Sequence, residues 1–370
     1  MTKQTVGVGL IGAGTISSQY LENLTSFPIL DVRFIADLDV ERARAQADAF
    51  GVAGAGTVEE LLADPEIEIV VNLTIPAVHV QVGLQAIAAG KHVWGEKPLS
   101  LDRESGRELL EAAKAAGVRV ASAPDTFLGA GLQTARRTIE SGAIGTPLTA
   151  VSLFQVPGPE SWHPSPEFLY AHGGGPMFDV GPYYLVTLFE LFGPVAKVVA
   201  ASSKSRETRV IGSGPKAGTE FPVEVPTHIG ATLWFEGGTS AQCVFSFDSK
   251  KRRAGFVEIS GTDATAVLPD PNVFDGDTEI WREESDTPEL VHAEGSLWTR
   301  GVGVAEFAES IRAGRPERAN GELAYHLIDV MVSLAESADE GRIVEVASSF
   351  TPSQPLDPSW DPAAPLSSQP

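Results

Sequence analysis

A single cysteine in 370 residues, Cys243, leaves no material for a disulfide framework and fits a reducing, cytoplasmic setting. Its surroundings, TSAQCVFSF, alternate as a strand does, so Cys243 reads as a small core residue and not a nucleophile. Long apolar runs are also missing. No stretch approaches the roughly 18 uninterrupted apolar residues of a membrane span. The opening MTKQTVGVGLIG enters a strand pattern directly, without the charged start, apolar core and small-residue cleavage site of a secretory leader. Positive charge is scarce: 27 Lys and Arg stand against 49 Asp and Glu, a net charge of −22. Such a surface repels phosphate backbones and anionic lipid, so neither nucleic acid nor membrane is an expected partner. The one basic run, Lys250-Lys251-Arg252-Arg253, reads as a solvated hairpin end. No His, Cys and carboxylate cluster has metal-ligand spacing, so no metal is expected.

What is present is a strongly patterned first third. Apolar runs such as VGVGLIG, DVRFIAD, IEIVVNL, KHVWG and VRVASAP alternate with helical stretches. Two of those helices should end at Gly51 and Gly90, and Ser100 or Asp102 should cap the start of the long helix that follows. That rhythm predicts a doubly wound, parallel α/β sheet over residues 1–125. From residue 126 to 346 the pattern changes to longer alternating strands, among them LTAVSLFQV, VAKVVAASS and TSAQCVFSFD. These predict a second α/β domain with a large, mostly antiparallel sheet and two closing helices. Residues 347–370, rich in proline and serine, predict an extended or disordered tail.

The turn Gly12-Ala13-Gly14-Thr15-Ile16-Ser17 has the form G-x-G-x-x-S between a strand and a helix. The first glycine permits the tight turn, and the second lets a pyrophosphate approach the positive end of the helix. Ser17 is small enough for close strand–helix packing. An acid at the end of the second strand completes the pattern, and Asp37 stands 23 residues after Gly14. Its carboxylate suits a ribose and repels a 2′-phosphate. Leu38 follows it, which favours NAD, while nearby Arg42 keeps NADP open. Other strand ends should line the same ligand: Leu73, Thr74, Pro76 and His79, then Glu96 and Lys97.

A second cluster, SWHPSPEFLYAHGGGPMFDVGPYYLV, contains Gly173-Gly174-Gly175 followed by Asp179 and Tyr183. Their spacing of four places both on one helical face. The G-x-G-x-x-S unit, Glu96-Lys97-Pro98 and G-G-G-x-x-x-D-x-G-x-Y together resemble the Gfo/Idh/MocA oxidoreductases, from about Val6 to Val346. The resemblance implies catalytic roles for Lys97 and Asp179, and homodimers or homotetramers formed through the C-terminal sheet. Many such proteins carry histidine where this chain has Tyr183, so a tyrosine-based proton relay is implied. Ala123-Pro124-Asp125-Thr126-Phe127 departs from the family's asparagine–arginine segment.

Oxidation of a secondary alcohol requires hydride departure and loss of the hydroxyl proton. A tyrosine of pKa about 10 serves as base only if a cation stabilises its phenolate, and Lys97 supplies one. Lys97 could itself be the base. Asp179 would fix a neighbouring hydroxyl or the lysine. Trp162, His163, Phe168, Tyr170 and His172 surround the glycine run, and aromatic faces suit a sugar or cyclitol. Substrate contacts are therefore expected from Lys97, Asp125, Trp162, His163, Asp179 and Tyr183. The expected activity is an NAD(P)-dependent dehydrogenase acting on a sugar, cyclitol or related polyol. A redox-neutral NAD-dependent glycoside hydrolase and a non-catalytic nucleotide sensor remain as alternatives.

Overall fold

A computed structural model describes residues 5–365. They divide into two compact units: residues 5–129, 295–328 and 356–365 form unit 1, and residues 130–294 and 329–355 form unit 2.

Unit 1 contains β1 (Val6–Ile11), α1 (Thr15–Leu24), β2 (Leu30–Ala36), α2 (Val40–Phe50), β3 (Gly54–Gly56), α3 (Val58–Ala63), β4 (Ile69–Asn72), α4 (His79–Ala88), β5 (His92–Gly95), α5 (Arg103–Ala116) and β6 (Val120–Ser122). All six strands are parallel, in the order β3-β2-β1-β4-β5-β6. The order reverses at β1, and ligands of such sheets bind beyond the carboxyl ends of the strands at that point. β1 and β4 are buried along their whole length, as strands covered on both faces must be. Local chemistry sets the helix ends. Asp39 accepts the Arg42 amide at the start of α2, and Gly51 closes that helix in the left-handed region. Asp102 caps α5, and Gly117 ends it; Ser100 instead donates to the Asp102 carbonyl.

Unit 2 contains α6 (Ala130–Glu140), β7 (Pro147–Gln155), α7 (Gly175–Asp179), α8 (Gly181–Phe192), β8 (Val195–Ser203), β9 (Thr208–Val210), β10 (Glu220–Pro222), β11 (His228–Phe235), β12 (Ser240–Ser246), β13 (Arg253–Gly261), β14 (Thr265–Leu268), β15 (Thr278–Trp281) and β16 (Glu289–Val291). The chain then adds α9 (Val302–Ala313), α10 (Gly321–Glu340) and β17 (Val344–Glu345). The large sheet runs β16-β15-β14-β13-β7-β12-β11-β8-β17 and is antiparallel except between β12 and β7. Strands β12 and β13 flank β7 on opposite sides. The basic run between them therefore lies on a crossover and is not the hairpin end expected from the sequence, although Lys250 to Arg253 are exposed as anticipated.

The division also differs from contiguous domains bounded at 126 and 346. α9 and the first part of α10 belong to unit 1. α9 returns there because Arg312 pairs with Glu68 at 2.5 Å and the buried ring of Trp94 packs against Gly303, and α10 because its Tyr325 hydroxyl accepts from Arg107 of α5 at 3.0 Å. The described part of the tail has no helix or strand after β17 but is anchored along its length. Phe350 and Leu356 are buried, the Ser353 hydroxyl donates to Glu190 at 2.8 Å, and the Trp360 indole donates to Glu309 at 2.8 Å. Residues 366–370 lie outside the described residues.

Candidate active site

In unit 1 the glycine turn is shaped by a close backbone crossing. Gly12 has φ of +106°, and a Cβ there would lie 2.7 Å from the carbonyl of Leu73. Only glycine meets both demands. Gly14 is the opposite case: nothing lies within 4 Å of where its Cβ would be. No side chain caps α1 at Gly14, and Gly14 and Thr15 are exposed, with Ile16 half-buried behind them. Uncapped amides at the positive end of a helix, beside an open glycine, fit a pyrophosphate. Ser17 packs as expected: it is fully buried, donates to the Gly14 carbonyl at 2.6 Å and accepts from Gln46 at 2.8 Å.

Asp37 lies beside this turn and is 7% exposed. One carboxylate oxygen accepts the Ala13 amide at 2.7 Å; the other accepts the Asp39 amide at 2.9 Å and Arg42 Nη2 at 2.6 Å. Burial pushes the carboxyl up, but Arg42 and the two amides outweigh it and hold Asp37 below the usual carboxylate range. The helix cap of α2 is Asp39, which leaves Asp37 beside the glycine turn.

The β4 end is organised by Asn72, which is buried. Its Oδ1 accepts the Thr74 hydroxyl at 2.6 Å and its amide nitrogen donates to the His79 carbonyl at 2.9 Å. Leu73 is buried against the turn, donating its amide to the Ile11 carbonyl at 2.8 Å, while Thr74 and Pro76 are half-buried. The His79 ring is 3% exposed, with Nδ1 2.7 Å from the Pro98 carbonyl and Nε2 3.0 Å from the Thr74 carbonyl. Both ring nitrogens thus face backbone. His79 binds the Thr74 loop to the Lys97-Pro98 turn and does not itself reach outward, as the sequence had suggested. Glu96 and Lys97 follow β5, both half-buried. The Glu96 carboxylate accepts the Tyr20 hydroxyl at 2.7 Å and the Lys97 amide at 3.0 Å.

Asp125 requires correction. It is wholly buried, and a single oxygen accepts the Gly301 amide at 2.9 Å and the Gly303 amide at 3.3 Å; the other lies 3.5 Å from Arg300. A carboxylate committed to the start of α9 is a structural cap, not a substrate contact.

In unit 2 the expected shared helical face is interrupted. Asp179 ends α7 and Tyr183 lies in α8, with Val180 (φ −108°, ψ −29°) closing one helix and opening the next. The break precedes Gly181-Pro182, where proline has no amide to continue the ladder. Asp179 is half-buried and Tyr183 buried, its carbonyl accepting the Thr187 hydroxyl at 2.9 Å. The glycine run exists because backbone passes close by: a Cβ on Gly174 would lie 2.7 Å from the Phe168 carbonyl. Trp162 and Phe168 are exposed and flank His163 edge-to-face, each ring 5.5 Å from it. Tyr170, by contrast, is a core residue. It packs on Phe221 and Phe247, donates to Glu160 and lies under Arg209. Burial, reinforced by the hydrogen bond to Glu160, pushes its pKa up.

Two family models match in succession. The oxidoreductase family, NAD-binding Rossmann fold, covers residues 6–123, and the GFO/IDH/MocA C-terminal domain covers residues 132–267. The chain belongs to the Gfo/Idh/MocA family. Among curated Gfo/Idh/MocA relatives, 1,5-anhydro-D-fructose reductase of Ensifer adhaerens is 29% identical over 353 residues, spanning 91% of this chain and 98% of the relative. Trans-1,2-dihydrobenzene-1,2-diol dehydrogenase of Bos taurus is 26% identical over 309 residues, 82% and 86% of the two chains. Among solved structures, levoglucosan dehydrogenase in complex with NADH and L-sorbose superposes with a TM-score of 0.80 at 21% identity, covering 93% and 99% of the chains. This Gfo/Idh/MocA protein is thus an NAD(P)-dependent dehydrogenase, and its Rossmann unit is of the NAD-binding kind. Tyr20 was not singled out from the sequence, because its partners Glu96 and Trp94 lie 76 and 74 residues away in the chain.

Proposed function

We propose that this enzyme transfers hydride between NAD(P) and a secondary hydroxyl of a sugar, cyclitol or related polyol. The observation that carries the reading is the built dinucleotide turn, with Gly12, Gly14, the uncapped α1 and Asp37 in one place, in a chain that also holds the family's Glu96-Lys97 turn. The named sugar substrates of relatives support the substrate class.

Ala13, Gly14, Thr15 and Ile16 would hold the pyrophosphate through backbone amides, and Asp37 the adenosine ribose. Leu73, Thr74 and Pro76 line the cofactor from β4, and Glu96 from β5. Bound there, the nicotinamide supplies the hydride acceptor or donor. Tyr183 exchanges the proton of the reacting hydroxyl, the Lys97 ammonium stabilises charge on that oxygen, and Asp179 holds a neighbouring hydroxyl. Trp162 and His163 present aromatic surface to the substrate ring.

The test is nicotinamide fluorescence with NAD and NADP against levoglucosan, inositols and aldoses, and with the reduced cofactors against 1,5-anhydro-D-fructose. Stoichiometric cofactor turnover supports a dehydrogenase. Cleaved glycoside with no net reduced cofactor marks a redox-neutral hydrolase instead. With an active substrate, Lys97→Met and Tyr183→Phe should each lower kcat by about 10²–10⁴ and leave NADH affinity unchanged. Wild-type turnover in both variants would falsify the assignment.

A further inference from the structure

Lys97 leaves the chain one residue after Glu96, whose carboxylate is held from two sides. One oxygen accepts the Lys97 amide at 3.0 Å and the other the Tyr20 hydroxyl at 2.7 Å. Tyr20 belongs to α1, the helix whose first residues form the glycine turn, and it is fully buried. Its oxygen also receives the Trp94 indole N–H at 3.2 Å. An indole nitrogen only donates, so the phenolic oxygen accepts there and aims its own proton at Glu96. Burial, with the Glu96 charge, pushes the Tyr20 pKa well up and keeps the hydroxyl a donor. Packing alone asks only for the ring. The hydroxyl is needed for the polar chain that ends at Lys97.

We propose that Tyr20 is a positioning residue for Lys97: the chain Trp94–Tyr20–Glu96 fixes the Lys97 amide and with it the direction in which that side chain leaves the turn after β5. The proposal rests on the reading of Lys97 as the group that stabilises charge on the substrate oxygen. Its consequence is that one helix, α1, orients both the cofactor turn and the lysine.

Tyr20→Phe removes one oxygen and keeps the ring. Variants Tyr20→Phe, Lys97→Met and the double mutant are compared by kcat, KM, NADH affinity from fluorescence quenching, and Tm, using the substrate found in the panel above. Tyr20→Phe should lower kcat about tenfold to a hundredfold, with KM and NADH affinity within about twofold of wild type. In the Lys97→Met background it should cause no further loss, because two residues acting through one group are not additive. Trp94→Phe, which removes the donor that orients the hydroxyl, is a second variant and should lower kcat in the same direction. The positioning role is overturned if Tyr20→Phe keeps full kcat while Lys97→Met loses it, or if the two losses multiply; the reading of Lys97 then still stands. Full turnover in Lys97→Met overturns both.

Discussion

Asp37 is held by two amides of its own neighbourhood and by Arg42, whose guanidinium is half in solvent. A carboxylate disfavours a 2′-phosphate and a guanidinium attracts one, and we propose that this pair sets the cofactor choice. Arg42→Ala should weaken NADPH binding more than NADH binding. Asp37→Ser should do the reverse, changing the ratio of the two affinities by about tenfold or more, near 1.4 kcal/mol, in a fluorescence titration. The same carboxylate carries a pH signature. Its folded pKa lies below the unfolded value, so its contribution to stability is complete above the ordinary carboxylate range, about pH 4, and is lost as pH falls through the folded pKa. Asp37→Asn should flatten the acid limb of a plot of urea midpoint against pH. An acid limb unchanged by that substitution would show that Asp37 is not held as described.

At the scale of elements, α9 depends on an acid 176 residues earlier in the chain. Asp125 meets the Gly301 and Gly303 amides through a single oxygen, so asparagine can keep both bonds while alanine keeps neither. Asp125→Ala should therefore cost about 1–3 kcal/mol in denaturant unfolding, and Asp125→Asn distinctly less. Equal losses would place the stabilisation in the Arg300 ion pair and not in the cap. Asp125 also marks where sequence reading ends. An acid after a strand looks the same whether it faces a ligand or caps a remote helix, and periodicity carries no record of which. The alternation of β1, β2, β4, β5 and β6 with helices was legible because buried strands and amphipathic helices have different periods, as was the glycine turn with Asp37, a pattern confined to about 25 residues. β3 was not, since Gly54-Ala55-Gly56 has no apolar run. The β9–β10 hairpin was not, since TRV and EFP are too short to alternate. Nor was the crossover that puts β12 and β13 on either side of β7, because strand order is fixed by tertiary pairing.

At the scale of the whole molecule, the nine-stranded sheet has one face whose residues are buried within its unit and one whose residues are not. Ala150, Ser152, Ala241, Cys243, Val257 and Ile259 point to the buried face. On the other face Val151, Leu153, Val244, Phe256 and Val267 are only half-buried, with Leu153 registered beside both Val244 and Phe256, while Glu258 and Gln242 stand beside Val151 at its polar edge. An apolar patch in register across several strands marks an interaction surface, and we propose that it pairs two copies of this chain. Each copy carries a formal charge of −22, so self-association works against a repulsion that salt screens. Light scattering after gel filtration should find a homodimer or homotetramer whose dissociation constant falls as ionic strength rises from about 0.02 to 0.2 M. Leu153→Arg should convert it to a monomer without altering NADH affinity, because the dinucleotide turn lies in unit 1. A wild-type monomer at micromolar concentration across that salt range would remove the proposed pairing, and a variant that stays oligomeric would move the interface off this face.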